Sequence, residues 1–162
     1  MNKKYELISE TIKIEDHTLY RIRALKSFSD VKEGDLGGFV ESEKNLSQND
    51  NCWVYNNAKV FGNVIIFGKA EVFGDAEVFG DAAIYQNARI YGNAWVHDNA
   101  QIFGDAEVFG NTHIWGNCWI YNNAKVWGNA WVLDNAQVFC VAQVSGNAVI
   151  FGNVKISKGE YT

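Results

Sequence analysis

The sequence predicts an all-β fold, a parallel solenoid of short strands, and three observations carry that expectation. From Leu46 to Gly159 the chain repeats every six residues with no visible insertion or deletion. Within the repeat, small or branched aliphatic residues alternate with aromatic ones, a two-residue period that a helix does not share. The 162 residues also include 15 Gly and no Pro. That pairing fits tight corners between strands that all donate backbone hydrogen bonds, because Gly accepts unusual dihedrals and Pro cannot donate into a sheet.

Each position of the hexad has its own chemistry. The first is Ala in 13 of 19 hexads, and the third is Val or Ile in 18, with Gln48 the exception. The fourth is Phe, Tyr or Trp in 14, the fifth Gly in 11, and the sixth Asn or Asp in 16. Side chains alternate across a strand, so positions one and three share one side and two and four the other. The small and branched residues therefore face inward, and most aromatics face outward. Gly-Asn and Gly-Asp at positions five and six supply the corner. One such unit buries nothing alone, so the hexads must stack. Cys52 and Cys118 hold the first position and read as buried small hydrophobes. Cys140 and Val141 replace the usual corner of the Ala136 hexad, a corner expected to be covered. Three cysteines without close pairing argue against a disulfide framework.

Hexads such as Ala70–Asp75 and Ala76–Asp81 resemble the hexapeptide-repeat left-handed parallel β-helix. The signature of that family is an aliphatic residue followed four positions later by a small one, as in Val72 and Ala76, Ile84 and Ala88, and Ile102 and Ala106. The resemblance implies left-handed winding and three hexads per coil, which gives about six coils. The wording Gly92-Asn93-Ala94 also resembles small repeat proteins of bacteriophages and prophages.

Three regions follow. Residues 1–45 form an N-terminal β-hairpin and capping segment, 46–159 the solenoid, and 160–162 a tail. In the first region Lys4–Ile8 and Thr18–Leu25 alternate like strands, and Glu15-Asp16-His17 forms a turn between them. A solenoid needs caps because a terminal coil exposes unpaired strand edges. The same segment holds 17 of the 33 charged residues, which makes recognition its alternative role.

With three hexads per coil, residues 18 apart lie above one another and the repeat has three outer faces. The first carries Phe67, Tyr85, Phe103, Tyr121 and Phe139. The second carries Tyr55, Phe73, Tyr91, Phe109 and Trp127, beside Glu71, Arg89, Glu107 and Lys125. Stacking and cross-strand charge pairing account for these two faces. The third face differs, because Trp95, His97, His113, Trp115, Trp131, Leu133, Val149 and Phe151 gather there. An apolar patch of that size marks an interface with a subunit or a partner.

Little else points to chemistry. Hexapeptide-repeat acyltransferases use a His as general base and carry projecting loops, and the unbroken register offers no loop. No carboxylate stands out in the sequence to orient His97 or His113, and His17 falls in a turn and reads as exposed. Three His do not converge for zinc, and Asp75, Asp81 and Asp105 read as corner residues. No catalytic residue, metal or cofactor is expected. A net charge of −5 speaks against nucleic acid, and no apolar run is long enough to span a membrane. The expectation is a non-enzymatic protein-binding solenoid of the phage or prophage type, a dimer or trimer in the cytoplasm of a bacterial host. Its partner would be a host protein, such as a defence effector of the CRISPR nuclease kind. The alternatives are a nucleotide-binding or sequestering oligomer, an acyltransferase relative, and a structural component of a virion or filament.

Overall fold

The computed structural model describes residues 3–162; residues 1 and 2 of the N-terminal segment lie outside it. Strands of mostly two residues recur every six residues, and they pair in parallel with the strand one coil away. Arg89 pairs with Glu107, Trp95 with His113, and Gln101 with Trp119, a constant offset of 18 residues. Three sheets result, of nine, seven and six strands. The chain is an all-β parallel solenoid of about seven turns.

The interior follows the hexad. All 18 Val and Ile at the third position are buried, together with the first-position Ala. Thr112 replaces one of those Ala, and its hydroxyl is buried without a hydrogen-bond partner. From Asn56 to Gly152 every fifth-position residue has a positive φ. At Gly104 the position is closed for a second reason, since an added Cβ would lie 2.6 Å from the Asn122 nitrogen of the next coil. At four of the six fifth positions in this stretch that are not Gly, the side chain is put to use: Asn56, Gln86, Asp98 and Asp134 each accept a hydrogen bond from the Gly amide one coil on. At the sixth position Asn side chains form ladders, with Asn93 donating to Asn111, Asn111 to Asn129 and Asn129 to Asn147 at 3.0–3.2 Å. Asp75, Asp81 and Asp105 accept from the Asn below them. A carboxylate has no proton to pass on, so each ladder stops there.

The two ends depart from the sequence reading. The uniform offset begins at Trp53, which pairs with Glu71. Leu46 bridges to Ile66, an offset of 20, so Leu46 and not Gln48 takes the inward position. The hexad expected over Leu46–Asn51 therefore does not form. Two extra residues free Gln48 to turn towards the N-terminal strand, where Oε1 accepts from the amides of Lys4 and Tyr5 and Nε2 donates to the Tyr5 carbonyl. At the other end Glu160–Tyr161 is a strand paired with Gln143–Val144 rather than a free tail. One residue fewer separates this pair, because Ser157-Lys158-Gly159 turns a shorter corner. With Leu36–Val40 pairing to Lys59–Val60 at the start, these strands add to the coils expected.

The N-terminal segment continues one sheet of the solenoid. Strand β1 (Tyr5–Ile14) and strand β2 (His17–Ala24) form an antiparallel hairpin, and β2 pairs antiparallel with β3 (Leu36–Val40). β3 then runs parallel to Lys59–Val60, the first coil strand of that sheet. Both hairpin strands are longer than those of the coils, so the hairpin tip overhangs the corner beyond Phe61. Leu19 packs there with Phe39 and Phe61, and Ile12, Ile14 and Phe79 lie against them. Lys4 is fully buried, with Nζ donating to the carbonyls of Asp50 and Cys52 at 2.8 Å each.

Candidate functional site: the third face

The third face is the outer surface of the nine-stranded sheet. Its second-position column runs Trp95, His113, Trp131, Val149, each in register with the next. Its fourth-position column runs Phe61, Phe79, His97, Trp115, Leu133, Phe151, placed by the same 18-residue offset. All eight residues singled out in the sequence thus stand on one sheet, in two adjacent columns. Trp95 and Trp131 are 43% and 44% exposed, Val149 50% and Phe151 61%, whereas His97, His113, Trp115 and Leu133 are half-buried between their neighbours.

Stacking accounts for the half-buried members. Phe61, Phe79 and His97 lie face to face at 5.0 and 4.7 Å, and His97 stacks on Trp115 at 6.0 Å. Trp95 and Trp131 lie tilted against His113 at 5.2 and 5.5 Å, and Trp115 meets Trp131 edge-on. These centroid separations are those of rings already in contact, so no planar ligand enters between rungs. Burial, together with the charge of His97, holds the His113 imidazole below its ordinary pKa, so it is biased towards the neutral, apolar form.

Two expectations about histidine need correction. His97 does have a carboxylate beside it, since Nδ1 lies 3.1 Å from Asp98 Oδ1 while Asp98 Oδ2 accepts the Gly116 amide. The positive φ of Asp98 turns its side chain back along the corner, a contact that spacing alone does not reveal. His17 is not a free turn residue either. It opens β2, packs on Phe61 at 5.0 Å, and places Nδ1 2.9 Å from Glu41 Oε1. Glu41 Oε2 also accepts the Gly62 amide. Burial works against the Glu41 carboxylate, but these bonds outweigh it and hold its pKa below the usual range. The hairpin tip is thereby tied to the first corner of the third face.

The other faces provide the comparison. Phe67, Tyr85, Phe103, Tyr121 and Phe139 stack at 4.8–5.0 Å. On the second face Arg89 pairs with Glu71 at 3.2 Å and Lys125 with Glu107 at 3.0 Å, exposed pairs each worth a few tenths of a kcal/mol. Cys52 and Cys118 are buried, and burial pushes the Cys118 thiol up to about 12. Cys140 is exposed at its corner rather than covered. Among the described residues, no group of three or more His, Cys, Asp or Glu side chains converges as a metal site. Among the same residues, no helix is long and apolar enough to cross a membrane.

Residues 82–98 and 142–157 match the family model of the YdcK Beta solenoid repeat. These two stretches make up a minor part of the chain, and they fall in coils whose strands pair with the 18-residue offset. The chain is a β-solenoid repeat protein. No curated protein matches it.

Proposed function

We propose that the chain is a non-enzymatic binding solenoid, wound left-handed, whose third face docks a second copy of the chain towards the C-terminal coils. One observation carries the reading: four large apolar side chains, Trp95, Trp131, Val149 and Phe151, stand exposed in adjacent columns of one flat sheet. Stacking leaves most other outward aromatics of the repeat half-buried, Phe67 and Trp119 on the first face excepted, whereas these four exposed side chains gather on one face. A contiguous patch of this kind is normally covered in the working assembly. Each protomer brings the same patch, so a dimer or trimer buries it symmetrically. The hairpin supports the reading from within the chain, since Leu19 already covers Phe39 and Phe61 at the other end of the same face.

The resemblance to phage and prophage repeat proteins supplies the setting, a bacterial cytoplasm, and a second partner, a host defence effector bound by the rigid assembly. The nucleotide-binding alternative is confined to the space between copies, because Trp95, His113 and Trp131 are already in contact with one another. Sedimentation velocity tests the proposal. The unmodified protein sediments as a dimer or trimer over the micromolar range, and Trp131→Glu sediments as a monomer. A single monomeric species for both proteins at every concentration overturns it.

A further inference from the structure

At the N-terminal end of the same face the overhanging hairpin encloses a cleft of about 420 Å³. The hairpin tip, Ile14, Glu15 and His17, lines it on one side, and Phe61, Phe79 and Trp95 of the third face on the other. Three carboxylates, Glu15, Glu77 and Asp81, line it. Glu77 is paired with Lys59 at 2.6 Å. Glu15 and Asp81 have no ion-pair partner among the described residues. Asp81 uses Oδ1 to accept from Asn63, which leaves Oδ2 free. Lys44 donates to the Asn63 side-chain oxygen at 3.2 Å. His17 turns Nδ1 to Glu41, so its Nε2 carries no protein bond and, in the neutral ring, accepts a proton donor.

We infer that this cleft binds a small organic cation, an alkylguanidinium or alkylammonium group with a short apolar stem. A cavity of this volume suits a small ligand when apolar walls carry a few placed polar groups. The Trp95 indole attracts a cation, and two uncompensated carboxylates supply charge-assisted acceptors. The apolar stem is met by Ile14 and Phe79. The sixth position of the repeat gives a further reason. At Asp81 the Asn ladder of this corner stops, since Asn63 donates into it and the next bond runs only from Asn99 to Asn117. Asp75 and Asp105 stop ladders in the same way, but of the three only Asp81 lines this cleft.

The same chemistry is offered by a free amine metabolite and by an Arg side chain on a peptide, so the test has an arm for each. The probes are n-butylguanidinium, its neutral isostere N-butylurea, and the capped peptide acetyl-Gly-Arg-Gly-amide, titrated into ¹⁵N-labelled protein while the Trp95 indole signal is followed. The guanidinium shifts that signal and the urea does not; a response to the peptide as well places the ligand on a protein chain, and none places it in solution. Asp81→Asn restores the ladder residue of the repeat, so the fold is kept while the charge is lost. Combined with Glu15→Gln it weakens guanidinium binding roughly tenfold, in line with the loss of charge-assisted hydrogen bonds. Because Trp95 also belongs to the contact proposed above, the titrations are run in the Trp131→Glu background, where the cleft is read without that contact and the guanidinium still shifts the signal. Equal responses to guanidinium and urea, or unaltered affinity in the double variant, overturn the inference.

Discussion

Lys4→Ala lowers stability by about 3 kcal/mol, read as a fall in Tm and as faster amide exchange confined to the first coils. The lysine is buried at the point where the N-terminal strand crosses the start of the solenoid. Its ammonium donates to two main-chain carbonyls, Asp50 and Cys52, and lies 5.1 Å from the Phe28 ring centroid. Burial depresses its pKa, although Cys52 and Asp50 oppose that, so part of its bonding energy offsets desolvation. Truncation removes both bonds, strands the buried Cys52 carbonyl and the half-buried Asp50 carbonyl, and leaves a cavity. Lys4→Met refills most of the volume without the bonds, so it should recover about half of the loss. Recovery to the unmodified level would mean that the carbonyls find other donors and that the ammonium is not what closes this end. Localised exchange is part of the prediction because each coil contacts only its neighbours.

Trp53→Ala costs about 3–5 kcal/mol, whereas Trp119→Ala costs under about 1 kcal/mol, measured by denaturant titration. Both residues occupy the second hexad position, which points outward. Trp119 is 40% exposed, as the pattern expects, but Trp53 is only 1% exposed. The N-terminal segment accounts for the difference. Tyr5 and Phe28 meet the Trp53 ring edge-on at 5.9 and 5.4 Å, and Tyr5 in turn donates to the Leu46 carbonyl at 2.8 Å. Similar costs for the two substitutions would mean that residues 3–45 lie on the solenoid without being packed into it.

These two residues mark where the sequence stops being legible. The inward Val and Ile, the corner at position five and the three aromatic columns all follow from hexad position, because an 18-residue coil converts spacing directly into neighbourhood. Contacts made by the non-periodic segment do not. Gln48 is the only departure from Val or Ile at the third position, and that was the available signal for the lock with Lys4 and Tyr5. Read only as an exception, it did not reveal that Leu46 takes over the inward place. By hexad position Trp53 is an outward residue like Trp119, and nothing in its hexad encodes the hairpin that covers it. The site was legible to the same degree. The two columns of the third face are legible from the 18-residue spacing, but the cleft under the hairpin is not, because Glu15 and His17 reach it from outside the repeat.

The central claim is that the third face is covered when the protein works. Oxidative footprinting of the tryptophans tests it within one molecule, since Trp95, Trp131 and Trp119 are about equally exposed in the single chain. The account predicts that Trp131, and Trp95 with it, become protected as protein concentration rises, while Trp119 on another face is modified at a constant rate. Equal modification of all three at every concentration would contradict it.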